Sequence, residues 1–203
     1  MKLKFMGLLL SFFILFSASL QAQKTKKPTE KKLTGYYRTY EDYLNKNLVV
    51  KDEISGRQHY FAVFKKAGEK EKVKYSEIWG FLYKGELFRI DKHFENRQVA
   101  TRVIEVGNIV YYENGWAHLQ MLENNTNEGE YSAGYMAYIS NDLNSEMTPL
   151  PVTRGDAKSM YKKFMEKNPQ HAKLYDCIDK SRTMDVMRQC TEEYNRTDSK
   201  GSK

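Results

Sequence analysis

Three dipeptides govern what this chain can fold into: Lys84-Gly85, Gly107-Asn108 and Asn114-Gly115, each set between segments rich in β-branched and aromatic residues. A two-residue connection reverses a strand where the backbone can take positive φ, which glycine does without a Cβ penalty and asparagine tolerates. Such connections join antiparallel strands, because parallel neighbours need a crossover of a dozen or more residues. The spacing predicts hairpins that pair 74–83 with 86–90, 101–106 with 109–112, and 109–112 with 117–122. Residues 59–65 and 131–140 read as further strands. In the second of these Ala133, Tyr135, Ala137 and Ile139 fall on one face. The tyrosine-rich stretch 35–43 is extended, although 40–45 could instead make a helical turn.

After Pro149 and Pro151 the apolar period changes. Thr153 and Asp156 fit a helix start, and Met160, Tyr161, Phe164 and Met165 then fall at helical spacing. Asn168-Pro169 reads as a cap and first position of a second helix with Leu174, Tyr175 and Ile178 on its stripe. Thr183 caps a third, carrying Met184, Met187, Cys190 and Tyr194. The expected fold is α+β: an antiparallel meander sheet that could curl toward a barrel, followed by C-terminal helices. About eight strand candidates in so short a stretch favour curling.

The N-terminus reads as an address. Lys2 and Lys4 precede an apolar run from Phe5 to Leu20, and Ala22 supplies the small residue before a cleavage point. This is the secretory signal pattern, somewhat short for the roughly 20 residues of a membrane-spanning helix. The expected organisation is a signal peptide at 1–22, a Lys-rich tether at 23–33, a β domain at 34–150, a helical segment at 151–196 and a flexible tail at 197–203. No cysteine lies near the cleavage point, so the expectation is an exported protein, periplasmic or secreted, and not a lipoprotein.

Charge follows that division. Of the formal +7, Lys2 and Lys4 carry two and the tether carries four, which leaves +1 for residues 34–203. A nearly neutral body argues against a nucleic-acid partner. Membrane contact is expected at most through the tether after cleavage, by screened attraction to anionic lipid.

Cys177 and Cys190 are the only cysteines. In an oxidising compartment they are expected to pair, as a structural disulfide between consecutive helices. Their spacing is neither that of a redox motif nor, without a neighbouring histidine, that of a metal site, and no cofactor is indicated. His59, His93, His118 and His171 are scattered singly. His118, flanked by Trp116 and Leu119 on an expected strand, is the catalytic candidate, with Glu105 or Glu113 as the carboxylate. Ser159 and Lys162 match a nucleophile motif whose companion elements are missing. Asn124 and Asn195 begin glycosylation sequons, Arg154-Gly155-Asp156 spells an integrin-type tripeptide, and residues 123–130 and 142–146 form acidic loops without calcium-loop spacing.

With 15 Tyr, 10 Phe and 2 Trp, aromatic rings are the chain's compositional signature. Adjacent strand residues point to opposite faces, so Tyr36 with Tyr37 and Tyr111 with Tyr112 cannot all enter one core. Together with Trp116 they are the ligand-binding candidates, for a glycan, peptide or lipid; cross-strand pairing within the sheet is the alternative role.

The segments 78–85 (IWGFLYKG), 106–112 (VGNIVYY) and 140–150 (SNDLNSEMTPL), with Tyr194-Asn195, resemble small secreted proteins of unknown function from Bacteroidetes-type bacteria. The resemblance implies a Gram-negative envelope or secreted setting and transfers no active site. Two functions follow as expectations: a non-catalytic binding or interaction module of the cell envelope with an unidentified ligand or partner, or a small periplasmic or secreted hydrolase using His118.

Overall fold

Most strands of the large sheet carry apolar residues at adjacent positions, and the register shows which face each set occupies. The computed structural model describes residues 32–58, 60–91, 98–115, 118–119, 136–150, 155–181 and 183–198. In chain order these form β1 (Thr34–Tyr37), α1 (Tyr40–Leu44), β2 (Val49–Lys51), β3 (Glu53–Gln58), β4 (Phe61–Lys66), β5 (Glu69–Lys74), β6 (Gly80–Tyr83), β7 (Glu86–Asp91), β8 (Val99–Val106), β9 (Val110–Asn114), β10 (Ala137–Ser140) and β11 (Thr148–Pro149). Three helices follow: α2 (Gly155–Lys167), α3 (Ala172–Ile178) and α4 (Met184–Asp198). The expected α+β class holds.

Eight strands make one antiparallel sheet in the order β11-β10-β9-β8-β7-β6-β1-β2, and β3-β4-β5 make a second. The large sheet keeps two edges, so it is open and does not close into a barrel. Its curvature is spent differently, because the chain leaves it after β2 to build the second sheet and returns at β6. Lys51 on β2 and the Tyr36 hydroxyl on β1 both reach Glu71 on β5, the latter at 2.8 Å, and so tie the two sheets together.

Phe81, Phe88, Arg102, Glu113 and Ala137 are successive register partners, so they share one face of the large sheet. Half of that face, with Tyr36, Phe81, Phe88 and Ile90, is buried against Ile54, Phe64 and Val73 of the small sheet. The other half, with Tyr111, Ala137 and Ile139, is buried under Tyr161, Leu174, Ile178 and Met187 of the helices. The opposite face holds Tyr37, Trp79, Tyr112 and Tyr138 under the loop that carries Leu143 and Met147.

Several local expectations change. The connection at Lys84-Gly85 is the two-residue turn expected, with φ of 50° and 84°. Residues 74–83 are not one strand: β5 ends at Lys74, a 3-10 turn spans Tyr75–Glu77, and β6 begins at Gly80. The Ala67-Gly68 turn between β4 and β5 has the same positive φ pair, 49° and 88°, at a position where alanine gives no turn signal. Asn114-Gly115 does not make a hairpin. Gly115, His118 and Leu119 are helical, and the next partner of β9 is β10. The glycine serves close approach there, since a Cβ would collide with the Ala100 carbonyl. Half of the expected strand at 131–140 lies outside the described residues, as do Thr153 and the tripeptide's Arg154, and β10 takes up only its end. Asn168 does not cap the helix after it; its amide donates back to the Phe164 carbonyl at 2.9 Å, closing α2. The last helix runs on to Asp198, past the expected start of the tail.

Two devices fasten α4. Cys177 and Cys190 form the expected disulfide, with Cα atoms 5.8 Å apart. The Asn195 amide then accepts from the Ile109 N–H at 3.1 Å and donates to its carbonyl at 3.0 Å, pairing with the turn between β8 and β9 as a strand would. This works because Gly107 has no side chain, for a Cβ there would occupy the Asn195 amide.

Cys190→Ser should lower unfolding stability by about 3 kcal/mol, the loop-closure value for a staple of this length, read from urea unfolding. Gly107→Ala should cost about 2 kcal/mol by displacing a buried, doubly bonded amide, and Asn195→Ala should cost no more in that background than alone.

Candidate functional site

A row of charges crosses the covered face of the large sheet between its two apolar clusters. The pairing of β8 with β9 sets Arg102 opposite Glu113, and Glu86 lies two residues before Phe88, the register partner of Arg102 on β7. An Arg102 amino group donates to Glu86 Oε2 at 3.0 Å. From above, Arg188 on α4 grips Glu113 with two nitrogens, one of them 2.5 Å from Oε2. After β9 the chain, helical at Gly115, His118 and Leu119, sets His118 against the same covered face, five residues after Glu113. Its Nε2 lies 2.6 Å from Glu113 Oε2 and its Nδ1 3.0 Å from the second Arg102 amino group.

These distances fix the histidine's protonation pattern. A guanidinium can only donate, so Nδ1 must present its lone pair to Arg102, and the ring proton sits on Nε2, donated to the carboxylate. Glu113 and His118 are fully buried, whereas the side chains of Arg102 and Arg188 are 21% and 25% exposed. Burial alone would raise the Glu113 carboxyl, but hydrogen bonds from Arg188 and His118 outweigh it and hold it at about 2. Tyr111, whose hydroxyl faces Met184 on α4, is pushed well above the phenol range by burial and by the nearby Glu113 charge.

The arrangement has the parts of an oriented base: a histidine, a carboxylate behind it and an arginine behind that. It is nevertheless closed. Both ring nitrogens are engaged and the ring has no exposure, so proton abstraction at Nδ1 would require Arg102 to leave first. Among the described residues no three His, Cys, Asp or Glu side chains converge as a metal set.

The other candidates distribute as follows. Tyr36, Tyr37, Tyr111 and Tyr112 are at most 7% exposed and pack inside the clusters, while Trp116 lies outside the described residues. Tyr112 accepts from Arg89 at 3.1 Å and pairs with Ser140 at 2.8 Å on the opposite face of the sheet. Both nitrogens of His118 are taken by Glu113 and Arg102, and Glu105, across from Tyr111, is not a partner of the ring. His171 is buried against the Tyr194 hydroxyl at 2.7 Å, and His59 and His93 lie outside the described residues. Ser159 and Lys162 are both on the exposed side of α2. Asn195 is committed to Ile109, which closes its sequon; Asn124 and the loop at 123–130 lie outside the described residues. The Asp142 carboxylate accepts from two backbone N–H groups and the Ser145 hydroxyl, a turn that needs no cation.

Sequence reasoning missed Glu86, Arg102 and Arg188. Their signal was weak but legible. Arg102 is charged at a position whose strand neighbours by two are apolar or buried, and Arg188 sits one residue beyond Met187 of the apolar stripe.

Compared with known proteins, the chain matches no family model, no curated protein and no solved structure.

Because the folded carboxyl of Glu113 lies below its ordinary value, it stabilises the fold above about pH 4.5 and loses that contribution as pH falls towards 2. Glu113→Gln should therefore cost about 3 kcal/mol near neutrality, and its deficit against the native chain should close on acidification. Urea unfolding across that pH range measures both.

Proposed function

We propose that the protein is a non-catalytic, exported interaction module of the cell envelope, released from its signal segment and tethered or secreted without lipid attachment. The uneven cover of the large sheet supports this reading. One face is buried by a second sheet and three helices. The other keeps large apolar side chains half-buried at its surface, among them Tyr40, Tyr43, Leu48, Leu82, Leu87 and Val103. Leu82 and Leu87 are direct cross-strand partners near its middle, and a Thr39–Asp42 capping box fixes the short helix that presents Tyr40 and Tyr43. The disulfide suits an oxidising compartment, and no described helix is long and apolar enough to cross a membrane.

The hydrolase reading has one observation in its favour, the contact of His118 with Glu113. Against it stand the occupied Nδ1 and the absence of exposure.

Replacing Leu82 and Leu87 together by Ser should leave the protein folded, since both are only half-buried, yet weaken its binding to whatever co-purifies with it by about tenfold or more. Native mass spectrometry of the protein from its own host, with and without these changes, reads the result. A turnover that disappears in His118→Gln would overturn the proposal in favour of the hydrolase.

A further inference from the structure

We propose that the charged row is a proton-operated latch, in which a second proton on His118 releases Arg102 while leaving Glu113 and Arg188 engaged. The geometry makes the two sides of the ring unequal. At Nε2 an N–H already points at a carboxylate, and that bond strengthens when the ring becomes cationic. At Nδ1 a lone pair receives an Arg102 N–H at 3.0 Å. A proton arriving there from solvent occupies that lone pair, sets two donors face to face and places two cations in contact. No other proton moves, so the change is confined to that one joint.

Charge balance points the same way. With His118 neutral, the row holds two cations, Arg102 and Arg188, and two anions, Glu86 and Glu113, each in an ion pair. A fifth charge in a site where ring and carboxylate are fully buried has no dedicated partner among the described residues. Among the described residues, the titratable and charged groups on the elements next to the ring are Glu86 from β7, Arg102 and Glu105 from β8, Tyr111 and Glu113 from β9, and Asp185 and Arg188 from α4, of which Arg102 and Glu113 contact it. Towards the small sheet, Leu119 packs in the cluster that holds Tyr75, whose phenol burial raises to about 12 against the opposing charge of Arg57. Asp185 is exposed on the helix surface and Glu105 stands across from Tyr111, so neither replaces the lost Arg102 contact. The joint that opens is therefore between His118 and β8. The helix side stays closed.

Arg102 is already poised to leave. Its Nε is buried without a partner, its side chain is 21% exposed, and Glu86 beside it is 32% exposed, so the released pair can turn together into water. The consequence is a seam between the small-sheet half and the helical half of the covered face that loosens on its β7–β8 side when the medium acidifies.

The test is nuclear magnetic resonance of 15N-labelled protein from about pH 7 down to the onset of unfolding, a span that covers the range in which histidines usually titrate. At the upper end the His118 ring should carry a proton on Nε2 alone. As it gains the second, amides flanking Glu86 and Arg102 should lose roughly tenfold in protection, measured against the intrinsic exchange rate at each pH, while those around Arg188 keep theirs. His118→Gln, which can accept from Arg102 and donate to Glu113 but cannot gain a proton, should fold and show no such response. The proposal is overturned if both ring nitrogens carry protons near neutrality. It is equally overturned if the Gln variant shows the same response, if protection falls on the helix side instead, or if the protein unfolds before the ring takes its second proton.

Discussion

A carboxylate with no exposure to water has to be held, and the way Glu113 is held organises the covered half of this molecule. Burial of an unpaired charge costs several kcal/mol, so the side chain is tolerable only with donors on every side. Those donors come from parts of the chain far apart: Arg188 from the last helix and His118 from the turn that follows β9. Arg102, on the adjacent strand, completes the set through the histidine ring. Satisfying one buried group thus fixes the register of β8 against β9, the seat of α4 and the direction in which the chain leaves Asn114. The two apolar clusters on either side supply most of the burial, but apolar contact alone is not directional. The charged row supplies the direction.

The interaction reading and the latch rest on different faces of the same sheet. The half-buried leucines and tyrosines lie opposite the charged row, one strand thickness away, and adjacent strand residues alternate between the two. Opening at Arg102 would therefore be felt by Val103 on the other side, because both belong to β8. The geometry offers a short physical route from a proton to a surface without needing a long pathway.

Much of the fold was legible because turn chemistry is local. Lys84-Gly85 behaves as its backbone demands, and the helices after Pro149 follow their apolar stripes, so the α+β order and the disulfide between consecutive helices could be read from residues alone. The failures share a cause. Asn114-Gly115 carries the signature of a hairpin, yet tertiary demand overrides it: the glycine is needed where β9 passes Ala100, and His118 is needed at Glu113. The strand Glu69–Lys74 went unrecognised because its charges are those of an exposed edge, with only Val73 buried. The partners of Glu113 were hidden for a related reason. Arginine in a strand or on a helix reads as solvent-facing until a buried anion is known to lie opposite. Adjacent tyrosines were correctly seen to face two ways, but both faces proved to be covered where those rings stand.

The fastening of α4 has a consequence for how the chain is made. The bonds between Asn195 and Ile109 span 86 positions, those between Arg188 and Glu113 span 75, and both close late in the sequence. Until the last helix has been synthesised, Tyr111, its partner Ile139 and the buried carboxylate beside them lack part of their cover. A chain stopped short of Met184 would keep every strand of its sheet and two of the three helices, and still expose the part of that face which Met187, Cys190 and Tyr194 cover. The structure is therefore one whose C-terminus decides whether its centre is dry.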